Sequence, residues 1–295
     1  MKGLTTVKDL GLDELETIIA EASDLRDLLD QGAEPEPVLR GRCVANLFFE
    51  PSTRTRLSFE LAAKRLGAHV LTYDPATSSA SKGESLRDTV LTVAAIGADM
   101  LVVRHVEDGV PQIVADWTGI PVISGGDGTN EHPTQALLDA VTLSRQFESL
   151  RGLQAGIIGD IAHSRVAGSL FHVLPRLGVE LTLIAPEDWL PTATPYQTSV
   201  DLDEVIPELD IVYLLRVQTE RGGRITDSYI GNFQLDRHRL ARMRPDAVIL
   251  HPGPMNRGVE IADDVADSSR SLVTEQVRNG VPIRMAVLRA IGAAS

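Results

Sequence analysis

FFEPSTRTRLSFE, residues 48–60, follows the apolar run Cys43–Phe49 and opens a helical pattern that reaches Leu66. Pro51 ends the run, because proline offers no backbone donor to a strand ladder. Ser52 is placed as a helix N-cap. A helix start exposes unpaired N–H groups and the positive end of the macrodipole. This one carries Ser52, Thr53, Arg54, Thr55 and Arg56 within about one turn. Two guanidiniums are unfavourable at that end, so a negative partner is expected, and a phosphate or carboxylate ligand suits. A capped surface helix with solvated arginines is the alternative, and the run by itself leaves both open. The strand–turn–helix context favours the ligand.

Around this stretch the chain alternates. A helical pattern built on Leu12, Leu15, Ile18, Ile19, Ala22 and Leu25 comes first. Strands are expected near Cys43–Phe48, His69–Tyr73, Asp99–Val103 and Pro121–Ser124, with helices near Thr55–Leu66, Ser85–Ile96 and Pro111–Trp117 between them. A glycine-rich loop, SGGDGTNEHPTQ, leads into a helix from Thr134 to about Phe147. A second series has strands near Gln154–Gly159, Glu180–Ile184, Asp210–Leu215 and Ala247–Leu250. Its helices lie near Arg165–Leu177 and Asp236–Met243, and Ala185–Leu202 reads as loop. Ser271–Ile291 closes the chain as an amphipathic helix dented at Pro282. The alternation gives an α/β class with two doubly wound domains, parallel sheets and ligands at the carboxyl ends of strands.

Composition narrows the functions. The 295 residues suit two domains at ~150 residues each. No apolar run reaches the ~18 residues of a membrane span, and MKGLTTVKDLGLDEL lacks a signal-peptide block, so a cytoplasmic enzyme is expected. With 28 Lys and Arg against 41 Asp and Glu, the net charge of −13 disfavours nucleic acid and anionic membranes as partners. The single cysteine, Cys43, excludes an intrachain disulfide or a cysteine metal cluster, and its apolar strand marks it as a small core residue. No H-E-x-x-H, G-x-S-x-G or G-x-G-x-x-G motif occurs, so neither a metal nor a cofactor is expected.

Five loop groups carry the polar chemistry. Ser52–Arg56 is the first. TSSASKGES, Thr77–Ser85, holds Lys82 and by itself is a solvated loop. Arg104-His105 follows an apolar strand, where an arginine commonly pairs with a carboxylate. His132-Pro133-Thr134-Gln135 enters a helix, where a lone histidine is commonly a cap, and Gly125, Gly126 and Gly128 beside it suggest close backbone approach. The second series adds Gly159–Arg165, Arg216-Val217-Gln218 and His251-Pro252-Gly253-Pro254. Together they gather arginines and amides around an expected interdomain crevice. Such a site is rich in cations and donors and poor in nucleophiles. It suits transfer between two anionic substrates by positioning and electrostatic stabilisation.

The ordered motifs FFEPSTRTRLSFE, SKGES, RH, GDGTNEHPTQ, GD…SR, RVQ and LHPGPMNRGVEI resemble the aspartate carbamoyltransferase catalytic chains over almost the whole sequence. Ornithine carbamoyltransferases share S-T-R-T-R and H-P-x-Q but have H-C-L-P, where this chain has Pro252. The resemblance implies formation of N-carbamoyl-L-aspartate and phosphate from carbamoyl phosphate and L-aspartate, a step of de novo pyrimidine biosynthesis. The alternatives are a carbamoyltransferase for another amino acid such as ornithine, or a catalytically silent scaffold subunit. It implies residues 1–135 plus about 275–295 as the carbamoyl phosphate-binding domain, with the last helix returning to it, and 136–274 as the aspartate-binding domain.

By matching position, Ser52, Thr53, Arg54 and Thr55 hold the phosphate, and Thr55, Arg104 and His132 hold the carbamoyl oxygen. Gln135 and the carbonyls of Gly253 and Pro254 orient the carbamoyl amide. Arg165 takes the aspartate α-carboxylate, and Arg216 and Gln218 the β-carboxylate. Ser78 and Lys82 come from a neighbouring subunit, with Lys82 also reaching aspartate, so a homotrimer with shared active sites is implied. Glu50, Arg165 and Arg221 serve domain closure. Family trimers stand alone, bind regulatory chains, or associate with dihydroorotase. Gly253 stands where some members have leucine.

Overall fold

A computed structural model describes residues 1–75 and 83–293; Ser78 and Lys82 lie outside the described residues. The chain divides into two compact units, Met1–Val141 with Val277–Ser295, and Thr142–Gln276. The first holds α1 (Leu12–Asp30), β1 (Cys43–Phe48), α2 (Thr53–Arg65), β2 (His69–Tyr73), α3 (Leu86–Ile96), β3 (Met100–His105), α4 (Val110–Thr118) and β4 (Val122–Asp127). Helix α5 (Pro133–Gln146) follows. The second holds β5 (Gln154–Ile158), α6 (Arg165–Val173), β6 (Glu180–Ile184), β7 (Gln197–Ser199), α7 (Leu202–Val205), β8 (Ile211–Leu214), α8 (Asp227–Phe233), α9 (Arg237–Arg242), β9 (Val248–Leu250) and α10 (Asp263–Ala266). Helix α11 (Val273–Gly292) ends the described chain, and the unit boundaries fall within α5 and α11.

Both sheets are wholly parallel. Their strand orders are β2-β1-β3-β4 and β7-β6-β5-β8-β9. A parallel strand covered on both faces needs apolar residues throughout, and β1, β4, β8 and β9 are buried almost end to end. On one face of the first sheet Ala45, Leu47, Leu101 and Val103 meet Val90 of α3 and Val110 and Val114 of α4. In the second unit Ile158, Ile184, Val212 and Leu214 pack with Leu202, Ile206, Tyr229 and Phe233. Helix α11 returns to the first unit and lies against α1. Arg26 donates to Asn279 Oδ1 at 2.8 Å, and Arg289 pairs with Glu21 at 3.0 Å. No helix among the described residues is long and apolar enough to cross a membrane.

Four elements differ from the sequence reading. Strand β4 does not stop at Ser124 but runs through Gly125 and Gly126 to Asp127, with a register shift against β3 between Val103 and His105. Gly126 has φ 108°, a left-handed value that glycine adopts without strain, so the strand bends rather than ends. The expected loop Ala185–Leu202 contains the edge strand β7, three residues paired to β6. Helix α6 stops at Val173, and Pro175 starts a separate 3-10 turn because it has no N–H for the α-helical ladder. Cys43 is half-buried, not a core residue. Its thiol pKa is raised by burial and by the nearby Asp99.

One ion pair network fastens α9 to α7. Arg239 is buried, grips Asp203 through Nε at 3.1 Å and Nη2 at 2.8 Å, and donates to the carbonyls of Gln234 and Gly231. These Arg239 bonds, and Arg242 beside them, hold the Asp203 carboxyl below the usual carboxylate range. A depressed carboxylate stabilises the fold above its unfolded pKa, about 4, and loses that contribution as pH falls through the folded value. Asp203→Asn is therefore expected to lower unfolding stability at pH 7, with the deficit shrinking toward zero near pH 2. Denaturant melts at the two pH values check this, and an equal deficit at both would contradict it.

Candidate active site

In an open parallel sheet, ligands bind beyond the carboxyl ends of strands, where the strand order reverses and the connections diverge to opposite faces. The first sheet reverses between β1 and β3. The segment after β1 is Phe49–Arg56, and β3 carries Arg104 near its end, in register with Phe48. The second sheet reverses between β5 and β8. Gly159–Arg165 follows β5, and Arg216–Gln218 follows β8. Topology alone thus puts the motif residues at each sheet's switch point.

At the first switch point Arg104 is held on two sides. Its Nε donates to Glu50 Oε2 at 3.1 Å and its Nη1 to the Gly125 carbonyl at 3.2 Å. A Cβ on Gly125 would lie 3.4 Å from both the Arg104 Cβ and the Phe48 ring, in van der Waals contact with each. Ser52 occupies the N-cap of α2 with extended backbone, yet its side chain makes no capping bond, and the first turn holds no acid. Thr53 and Arg54 are exposed, while Thr55 is buried. The Thr55 hydroxyl lies 3.4 Å from Nε2 of buried His132. Gln135, on the first turn of α5, donates through Nε2 to Asp139 Oδ1 at 3.0 Å. In the first unit, then, Arg104 is paired with Glu50, Thr55 lies beside His132, and Gln135 is held by Asp139.

At the second switch point, two buried carboxylates hold the loop after β8. Asp160 Oδ2 accepts from the Gln218 N–H at 2.8 Å, and its Oδ1 lies 2.6 Å from His163 Nδ1. Glu260 Oε1 accepts from the Val217 N–H at 2.7 Å and from Asn256 Nδ2 at 2.8 Å. Burial, reinforced by their charge, pushes the Tyr229 phenol pKa up. Arg216 pairs with Glu220, and its Nη2 also lies 3.4 Å from Gln218 Oε1. Arg221 donates to the same oxygen at 3.0 Å. Arg165 is buried at the start of α6, whose cap is Ser164 accepting from the Ala167 N–H at 3.3 Å. As at α2, a guanidinium meets the positive end of a helix. After β9, Gly253 has φ 64° and donates to His251 Nδ1 at 2.9 Å, and the Gly253–Pro254 bond is cis.

Four supporting residues have no assigned role in the sequence reading, although Asp160 and Glu260 fall inside the GD…SR and LHPGPMNRGVEI motifs. Asp139 and Arg284 lie in helices, where periodicity marks them only as interior positions. Glu260 sits in an ordinary Val-Glu-Ile run. Asp160 carries a usable signal, a carboxylate directly after the glycine that ends a buried strand. No group of three or more potential metal-ligating side chains was found among the described residues. Gly223 lies inside the pinned loop. A Cβ there would stand 2.5 Å from Asp160 Oδ2 and 3.1 Å from the Gln218 nitrogen and carbonyl oxygen. Gly223→Ala is expected to loosen the loop and to speed tryptic cleavage at Arg221 and Arg224 by roughly tenfold, the factor for about 1.4 kcal/mol. Unchanged cleavage would show that the carboxylates do not hold it.

Comparison with known proteins agrees across the whole chain. Residues 2–145 match a family model described as the aspartate/ornithine carbamoyltransferase carbamoyl-P binding domain, and residues 151–291 match the Asp/Orn binding domain. The aspartate carbamoyltransferase catalytic subunit of Thermobifida fusca is 50% identical, over 98% of this chain and 94% of that one. Its counterpart in Nocardioides is also 50% identical, over 97% and 92%. Among solved structures, the Trypanosoma cruzi aspartate transcarbamoylase in complex with carbamoyl phosphate superposes with a TM-score of 0.91 at 30% identity, covering 98% of this chain and 95% of that one. The catalytic subunit of M. jannaschii aspartate transcarbamoylase gives 0.88 at 34% identity, covering 100% and 99%.

Proposed function

The chain belongs to the aspartate/ornithine carbamoyltransferase family, and we propose that it transfers the carbamoyl group of carbamoyl phosphate to the amine of L-aspartate, giving N-carbamoyl-L-aspartate and phosphate. The observation that carries this reading is the cation-rich, nucleophile-poor chemistry at both switch points, in a chain half identical to named aspartate carbamoyltransferase catalytic subunits. The product is an early intermediate of pyrimidine biosynthesis.

The phosphate is bound by the α2 start, with Ser52, Thr53, Arg54 and Thr55 supplying donors and the helix dipole adding positive potential. Ser52 suits this because its hydroxyl is not spent on its own helix. The carbamoyl oxygen gains negative charge as the amine attacks, and Thr55, Arg104 and His132 stabilise it there. Gln135, with the carbonyls of Gly253 and Pro254, orients the carbamoyl amide. Arg165 takes the α-carboxylate of aspartate, and Arg216 with Gln218 the β-carboxylate, through forked arginine–carboxylate pairs that fix orientation as well as charge. Glu220 holds Arg216 in the absence of that carboxylate and is displaced by it. The amine attacks in its neutral form, a C–N bond forms, the C–O bond to phosphate breaks, and the leaving phosphate accepts the proton. No side-chain base is required.

A homotrimer with Ser78 and Lys82 donated across subunits completes the reading. It is supported by the edge strand β2, where Leu71 is exposed, and by Leu57 and Leu61, exposed one turn apart on α2. Strand β2 runs toward the segment that carries Ser78 and Lys82.

Purified protein is expected to form carbamoylaspartate from carbamoyl phosphate and aspartate and to elute as a trimer. Turnover with ornithine and not aspartate would overturn the substrate assignment, and a monomer active at all dilutions would overturn the shared site. Arg216→Lys keeps the charge but loses the fork. It is expected to raise the KM for aspartate at least tenfold while carbamoyl phosphate affinity stays within about twofold. Steady-state kinetics in each substrate separates the two.

A further inference from the structure

Arg284 is 3% exposed, in the middle of α11. Its guanidinium stacks over the Phe59 ring at 5.0 Å, and its Nη1 donates to the Gly280 carbonyl at 2.7 Å. Burial pushes its pKa down to about 9, Asp139 works against that fall, and Arg104 adds to it. It therefore remains a cation at neutral pH, close to both an acid and an arginine of the candidate site. Arg284 and Asp139 thus interact electrostatically.

Asp139 is fully buried one helical turn beyond Gln135, on the same face of α5. A carboxylate only accepts hydrogen bonds. The Gln135 atom facing it at 3.0 Å must then be the donor Nε2, which turns Oε1 the other way. A neutral acid or an amide at position 139 would tolerate either orientation.

We infer that Asp139, accepting from Gln135 Nε2, is a positioning residue that fixes the Gln135 amide with its oxygen outward, so that the site selects an acyl phosphate bearing an NH2 donor over one bearing a methyl group. This rests on the substrate reading above and adds the origin of its selectivity. Carbamoyl and acetyl phosphate have nearly the same shape and the same phosphate. They differ where one offers two N–H donors and the other none. A fixed acceptor rewards the first, whereas an amide free to flip presents a donor part of the time and loses that preference.

The test compares wild type with Asp139→Asn, measuring the KM for carbamoyl phosphate and the competitive Ki of acetyl phosphate. The variant is expected to raise the first about tenfold and to leave the second within twofold. Arg284→Met is expected to move the ratio in the same direction. Equal weakening of both ligands would make the pair merely structural, and an unchanged ratio would equally overturn the inference. If neither variant folds, the Gln135 side-chain amide is followed by 15N NMR in the wild-type protein. Slow proton exchange, unchanged by carbamoyl phosphate, supports a locked amide, and rapid exchange or a change of partner on binding overturns it. A wild-type protein that makes no carbamoylaspartate defeats the substrate reading itself. Normal wild-type turnover with an unshifted ratio defeats only this inference.

Discussion

The reversal of strand order beside β1 and beside β5 is the constraint on which the chemistry depends. Where the order reverses, two neighbouring parallel strands send their connections over opposite faces, and the carboxyl ends between them are left uncovered. Backbone N–H groups of the next helix point into that gap. Side chains placed there face one another without any long-range design. Arg104 is level with Phe48 because β3 pairs with β1 in that register, and the α2 start follows within a few residues. Strand pairing thus does the coarse positioning, and hydrogen bonds do the rest.

Those hydrogen bonds explain where the chain's negative charge goes. A net charge of −13 sits poorly with a site for two anions unless the acids stand behind the cations. Asp139, Asp160 and Glu260, all of them buried, are turned instead toward amide and backbone N–H donors. A buried carboxylate costs several kcal/mol in desolvation unless donors surround it. Here the donors belong to the parts that must be held: the Gln135 amide, the Val217 and Gln218 N–H groups, and Asn256. Each acid spends its charge on orienting a neighbour, and little of it is directed at the ligand side.

Much of this was legible from residue patterns because parallel strands are apolar runs with sharp ends. The limits of β2 and β6 match their runs residue for residue, and α3 begins after Ser85 and ends at Gly97 as cap chemistry requires. What escaped was structure that breaks a local rule for a packing reason. Gly125 and Gly126 look like loop but continue β4, which bends at Gly126 with its φ of 108°. Strand β7 is three residues at a sheet edge, too short for alternation to declare itself. The motif residues announced themselves through unusual neighbours, such as arginines at a helix start. Asp139 and Arg284 did not, because a buried charged residue in a helix reads like any other until its surroundings are known.

The arginines at the two helix starts show why the ligand and the fold share one energetic problem. At α2 and again at α6, a guanidinium is set against the positive end of a helix dipole, an arrangement unfavourable by a few tenths to about 1 kcal/mol each. Neither first turn contains an acid to offset it. Ordinary helices in the same chain do the opposite, with Asp13 and Glu14 opening α1 and Asp88 opening α3. Helix α9 also opens on Arg237 and Arg239, but its N-cap Asp236 and the nearby Asp203 supply negative partners, whereas α2 and α6 are capped by serines. On the proposed reading, an anion bound at each of these two helix starts would answer the helix dipole and add to the affinity for an acidic ligand.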